Sequence, residues 1–295
     1  MESSSVRSVD IPSRTQRSLE RSIQKGGQDL YEAHQIILTL VRRHTSAGRH
    51  SEAIHVLYNY ALKLKANSKL CADLGLMYVD TCVAGGLTCT TSKLTKLLEV
   101  LQALNVQECG NSAPELINAI FNFYQKHLET EDVDAVLGID DVVVDVHRLA
   151  ADFYEANESY GKSQLHRVAA VDIDGLLHLR DVWQEKCFPS ERHLLALRMT
   201  CLLVLSGHAS EAEALLLCLP VEWEEDDIDV ELQLAYLLTA AAVESSAPFY
   251  QVLRQKFRLV LRRDPKLDKL FTEIGHQTFG LPREQPRSIL SAFFN

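Results

Sequence analysis

Apolar residues recur along this chain at three- and four-residue steps, the spacing of one face of a helix. Leu30, Ala33, Ile37, Leu40 and Val41 make the first such stripe. The pattern breaks at Thr45-Ser46-Ala47-Gly48 and resumes with Ala53, Ile54, Leu57, Tyr58, Ala61 and Leu64. Residues Gly27 to Ala66 therefore read as two short amphipathic helices joined by a glycine-containing turn. Such a pair cannot bury its apolar face alone and requires further pairs downstream.

Those pairs follow. The periodicity predicts helices over Ser68–Cys82, Thr88–Leu104, Ala113–Lys126, Val143–Ala156, Gly161–Ala170, Leu176–Gln184 and Glu191–Leu205. Another opens at Gly207 and ends near Leu219-Pro220, and the last three are Val230–Glu244, Ala247–Arg262 and Pro265–Phe279. Ser190 is placed as an N-cap, and Asp264 caps a helix with Pro265 at its first position. Glu129–Val144 is ambiguous: Ile139–Val146 is β-branched and suits a strand, but flanking helices favour an acidic loop entering a helix at Val143. A Gly-x(3,4)-Glu-Ala turn recurs at Gly27/Glu32/Ala33, Gly48/Glu52/Ala53 and Gly207/Glu211/Ala212. The small alanine lets paired helices approach closely. The fold class is all-α, an α-solenoid of tetratricopeptide-like helical pairs. Residues 1–14 read as a disordered tail, 15–145 as an N-terminal solenoid half and 146–295 as a C-terminal half. Leu70, Leu94, Leu98 and Leu202 are expected in the core.

Composition narrows the function. The net charge of -10 argues against a nucleic-acid binder, which needs a basic face. Seven scattered cysteines form no Cys-x-x-Cys pair, so zinc ribbons and thioredoxin motifs are absent, and reduced, mostly buried thiols in the cytosol are expected. Met1–Ser13 has no apolar signal region, and no stretch approaches the roughly 18 apolar residues of a membrane span. The nearest, Leu232–Val243, reads as a buried solenoid helix. Arg14, Arg17, Arg21 and Lys25 form either a solvated basic stripe or a contact surface for an acidic partner.

Catalytic patterns are missing. No Gly-x4-Gly-Lys-Ser/Thr loop, His-Glu-x-x-His helix or Gly-x-Ser-x-Gly elbow occurs. His147, His166 and His178 read as helix-surface or satisfied core residues. No cofactor or metal site is expected, and a non-enzymatic binding scaffold is favoured.

Two stretches then carry a resemblance. They are Asp29-Leu30-Tyr31-Glu32-Ala33-His34-Gln35, and Leu261-Arg262-Arg263-Asp264-Pro265 continuing through Ile274-Gly275 to Phe279-Gly280-Leu281-Pro282. Together they resemble the fourth factor of the guided entry of tail-anchored proteins pathway, the Golgi-to-ER-traffic family. The resemblance is weakest in the central and C-terminal helices, and it does not carry over an animal-type partner that uses a tail beyond Asn295.

The resemblance implies a cytosolic α-solenoid without enzymatic activity. It implies that the N-terminal half binds the pathway's targeting ATPase and the C-terminal half a ubiquitin-like protein. Tail-anchored clients then pass from a tetratricopeptide co-chaperone to the ATPase for delivery to the endoplasmic reticulum. Tyr31, His34, Arg42 and Arg43 match the ATPase-anchoring segment, although Tyr31 also reads as packing the turn. Asp73 and Asp80 match an acidic pair that regulates the ATPase, or form a solvated helix face. The acidic segment Glu222–Asp229 falls where the family inserts an element clasping the ubiquitin-like partner. Trp223, as core residue or anchor, and Phe249 are assigned to that partner. A proteasome-lid-type helical-repeat subunit is the competing class; it explains the solenoid but not the two motifs.

Overall fold

A computed structural model describes residues 13–128, 139–221 and 228–282. Among these there are fifteen α-helices and no strand, in a solenoid of packed helical pairs. The chain divides into two compact units, residues 1–157 and 158–295.

The first unit holds α1 (Ser13–Lys25), α2 (Asp29–Ser46), α3 (His50–Lys63), α4 (Ser68–Ala84), α5 (Thr91–Gln102), α6 (Ser112–Leu128) and α7 (Ile139–Ala156). α1 packs on α2, α2 on α3, α3 on α4 and α4 on α6, while α5 packs on α7. The stripes read from the sequence form the core, and Leu57, Leu74, Leu94 and Leu116 are fully buried in it. Leu70 and Leu98 are buried as expected. The turn between α2 and α3 needs its glycine, because Gly48 sits at φ 70°. Beyond it Ala53 is completely buried, as is Ala33 before it. Gly75 inside α4 serves close packing instead: a Cβ there would stand 2.9 Å from Leu116 and 3.1 Å from Val100. Asn67 caps α4 by accepting the Leu70 N–H at 3.2 Å.

The ambiguous β-branched run is helix. α7 begins at Ile139, four residues before the expected start. Ile139, Val143, Val146 and Ala150 are buried at helical spacing, and Asp140 and Asp141 face the positive end of the helix. Burial overrides the local β preference. The boundary expected at 145/146 falls inside α7, and the units part after Asn157. The expected tail, 1–14, lies outside the described residues up to residue 12, and Ser13 already belongs to α1.

The second unit holds α8 (Tyr160–Ala169), α9 (Ile173–Gln184), α10 (Arg192–Leu205), α11 (Ala209–Leu217), α12 (Val230–Val243), α13 (Ala247–Lys256), α14 (Arg258–Arg263) and α15 (Pro265–Gln277). α10 is central and packs against α11, α12 and α15. Three sequence expectations need correcting here. Ser190 is no N-cap: it lies in a 3-10 turn, Pro189–Glu191, ahead of α10. The single helix expected over Ala247–Arg262 breaks at Phe257, which ends α13 and starts α14. Leu202 is half-buried, because α10 turns that side of itself toward solvent while Leu203 and Val204 go inward.

The Arg-Arg-Asp-Pro motif is a set of ties. Asp264 caps α15 by accepting the Lys266 N–H at 2.9 Å and also accepts from Arg198 of α10 at 2.6 Å. Burial disfavours the Asp264 carboxylate, but these two donors outweigh it and hold the group below the usual carboxylate range. Arg263 donates to the buried carboxylate of Glu231 on α12. The Phe-Gly-x-Pro stretch is equally structural. Phe279 stacks on Tyr250 with ring centres 4.5 Å apart, and Tyr250 donates to the Phe271 carbonyl. Gly275 makes room for that tyrosine, since a Cβ would lie 3.0 Å from its ring.

Candidate protein-binding surfaces

In the first unit, the outward face of α2 carries the candidate anchors. Tyr31 is 55% exposed. Gln35 and Arg42 share its stripe at i+4 and i+11, and Arg43 stands beside Arg42, all exposed. Tyr31 and Arg42 are separated by roughly 17 Å along the helix axis. They would therefore touch two separate points on a partner. Arg14, Arg17 and Arg21 are exposed on α1, which packs against α2.

His34 differs from its neighbours. It is turned inward at 7% exposure, and its Nε2 lies 2.7 Å from Asp73 Oδ2 of α4. The ring is therefore not displayed to a partner as the sequence reading expected; it holds the Asp73 carboxylate. Asp80, two turns along α4, is exposed and has no ion-pair partner among the described residues. The two aspartates share a helix face but differ chemically: Asp73 is tied down and Asp80 is free to meet a cation.

In the second unit, Phe249 is half-buried and packs against the core. Trp223 lies outside the described residues. The same unit has a cleft of about 320 Å³ lined by Leu217, Ile228, Gln233, Tyr236 and Leu237. Leu217 and Tyr236 are both exposed. Leu232–Val243, expected as a buried solenoid helix, instead lines this cleft through Gln233, Tyr236 and Leu237. That helix is apolar apart from Gln233 and Thr239, yet Tyr236 and Val243 face out. A largely apolar helix too short for a membrane is the available signal: it needs cover on more than one side. The cleft offers apolar contact with one amide and one phenol for orientation, the composition of a peptide-binding groove.

Neither surface resembles a reaction centre. Among the described residues, no group of three or more His, Cys, Asp and Glu side chains is placed to hold a metal ion. Cys71, Cys82, Cys89, Cys109 and Cys201 are buried free thiols, Cys187 is half-buried and Cys218 is exposed. Burial pushes the Cys71 thiol up to about 12 and that of Cys82 up to about 11, so neither is a nucleophile at neutral pH. Among the described residues no helix is long and apolar enough to cross a membrane.

Comparison with known proteins adds identity to this geometry. A relative from Homo sapiens, Golgi to ER traffic protein 4 homolog, is 23% identical over 284 residues, covering 93% of this chain and 82% of the relative. The homolog from Takifugu rubripes is 26% identical over 295 residues, covering 97% and 86%. Protein GET4 of Arabidopsis thaliana is 21% identical over 296 residues, covering 91% and 90%. The crystal structure of C. therm. Get4 superposes with a TM-score of 0.74 at 17% identity, over 96% of this chain and 95% of that one, and shares the fold. The sequence model of the family described as Golgi to ER traffic protein 4 matches residues 47–295. It begins just after α2 and takes in the central and C-terminal helices, where the sequence reading found the resemblance weakest. On a match of that extent, the chain belongs to the Golgi to ER traffic protein 4 family.

Proposed function

We propose that this protein is a non-enzymatic adaptor of the cytosolic tail-anchored protein pathway. Its first unit binds the targeting ATPase and its second unit a ubiquitin-like protein. By bridging the two, it lets clients brought by a tetratricopeptide co-chaperone pass to the ATPase for insertion at the endoplasmic reticulum. The observation that carries this reading is the family match over residues 47–295. The two surfaces support it, since Tyr31, Arg42 and Arg43 are exposed on one and Leu217 and Tyr236 on the other.

In this reading Tyr31, Arg42 and Arg43 contact the ATPase. The arginines make charge-assisted bonds to carboxylates and Tyr31 supplies apolar area. His34 is a positioning residue that braces Asp73, and Asp80 is the acidic group left to act on the ATPase. Phe249, Trp223 and the Leu217–Tyr236 cleft receive the ubiquitin-like partner. Co-purification from cytosol tests the proposal. Recovery of an ATPase that depends on the first unit's exposed arginines, together with a ubiquitin-like protein, is the expected result. Recovery of proteasome-lid subunits instead would sink it.

A further inference from the structure

A third surface belongs to neither of these readings. Residues 254–269 contain seven of the chain's 30 Lys and Arg but only two of its 40 Asp and Glu. One of those two, Asp264, is occupied by Arg198 and the α15 cap. In an acidic protein this is a concentrated island of positive charge. α14 shows why it faces solvent. Val260 and Leu261 go into the core, which leaves Arg258, Leu259 and Arg262 on the outward side. Lys256 and Lys266 flank them, also exposed. Arg258, Arg262 and Lys266 have no carboxylate partner among the described residues.

Apolar exposure coincides with the charge. Phe188 at 75% and Leu259 at 69% are the two most exposed large hydrophobic side chains among the described residues. Arg263 brings their neighbourhoods together. It lies one turn after Leu259 on α14, and its Nη2 donates to the Ser190 carbonyl at 3.4 Å, two residues from Phe188. Both side chains protrude, and the described clefts of this unit are lined by other residues. A peptide ligand seeks a groove, whereas protruding apolar side chains beside a cluster of cations suit a soft, negatively charged plane.

We propose that this face docks the protein peripherally on an anionic bilayer. Arg258, Arg262, Lys256 and Lys266 pair with lipid headgroup phosphates, and Phe188 and Leu259 enter the headgroup region. Guanidinium groups bind phosphate oxygens bidentately, and each cation near an anionic surface adds to affinity. Since no described helix can cross a membrane, the attachment is reversible and salt-sensitive.

Co-sedimentation of the full chain with vesicles tests this. The vesicles are of phosphatidylcholine alone, or of equal parts phosphatidylcholine and phosphatidylserine. At low salt the protein should pellet with the mixed vesicles only, and added salt should release it. Arg258→Glu with Arg262→Glu should lower apparent affinity roughly tenfold or more. Phe188→Ser with Leu259→Ser should lower it severalfold. All four side chains are exposed, so both variants should melt with the parent, and a thermal scan checks this. Absence of binding to the mixed vesicles overturns the proposal, as does binding that the charge reversal leaves intact. Capture of a polyglutamate peptide by this face, without vesicle binding, assigns it to an acidic protein and overturns the proposal as well.

Discussion

His34 Nε2 and Asp73 Oδ2, 39 residues apart in sequence, meet at 2.7 Å and fasten α2 to α4. The bond joins a residue of the arginine-bearing helix to a residue of the acidic helix. Substituting Asp73 therefore disturbs packing as well as charge. A double-mutant cycle with His34→Ala and Asp73→Ala should show a coupling of about 0.5–1.5 kcal/mol in urea unfolding. Asp80→Lys touches no such bond and should leave stability unchanged. In the proposed adaptor it should leave ATPase binding nearly intact while altering the rate of ATP hydrolysis. If neither quantity moves, Asp80 is plain surface.

Arg42→Glu with Arg43→Glu should weaken binding to the ATP-bound targeting ATPase and make the remaining binding less sensitive to salt. Both side chains are exposed near the end of α2, so the fold should survive, at a cost of about 1 kcal/mol for placing acidic groups at the negative end of the helix. Binding equal to the parent's at low salt, measured by interferometry, would refute the anchoring role.

The cleft in the second unit gives a cleaner probe than Phe249, which is half-buried and packs on the core. Leu217→Ala with Tyr236→Ala removes exposed apolar surface. The doubly substituted chain should still unfold as one cooperative unit in a thermal scan. It should also lose the co-purifying ubiquitin-like protein. Retention of that partner would move its site elsewhere.

Asp264 supplies a pH test. Its carboxylate is held below the usual range in the folded chain, while unfolded it titrates near pH 3.9. Its contribution is therefore fully present above about pH 4 and is lost as the pH falls through the folded value. Asp264→Ala should cost about 1–3 kcal/mol at neutral pH, from the lost cap and the partly buried Arg198 left behind. The difference between parent and variant should shrink on acidification below pH 4. A difference that stays constant would show that the charge contributes nothing.

Helix positions were legible because burial and periodicity agree in most of the chain. Glycine turns and polar caps marked many of the ends: Gly48, Asn67 and Asp264 all act as their residue types suggest. The misreadings fall where that punctuation is missing or misleading. Lys256-Phe257-Arg258 contains no glycine or proline, yet the helix breaks there. The β-branched residues of α7 point to a strand until their buried positions are seen to repeat at three and four. Surface function was less legible, since it depends on what a side chain meets far away in sequence. Nothing local to His34 announces Asp73, and nothing local to Tyr236 announces Leu217.

The ties made by Arg198, Arg263 and Thr278 also set an order of events during synthesis. Arg198 waits 66 residues for Asp264, the Ser190 carbonyl waits 73 for Arg263, and the Val204 carbonyl waits 74 for Thr278. The first unit's cross-links from His34 and Tyr58 span only 39 and 41 residues. A nascent chain can therefore close its first unit while the second is still being made. The second leaves the α15-facing side of its central helix uncovered until α15 has left the ribosome. For that interval one apolar side of α10 is open, so this half of the molecule is the one that would depend on chaperones at birth.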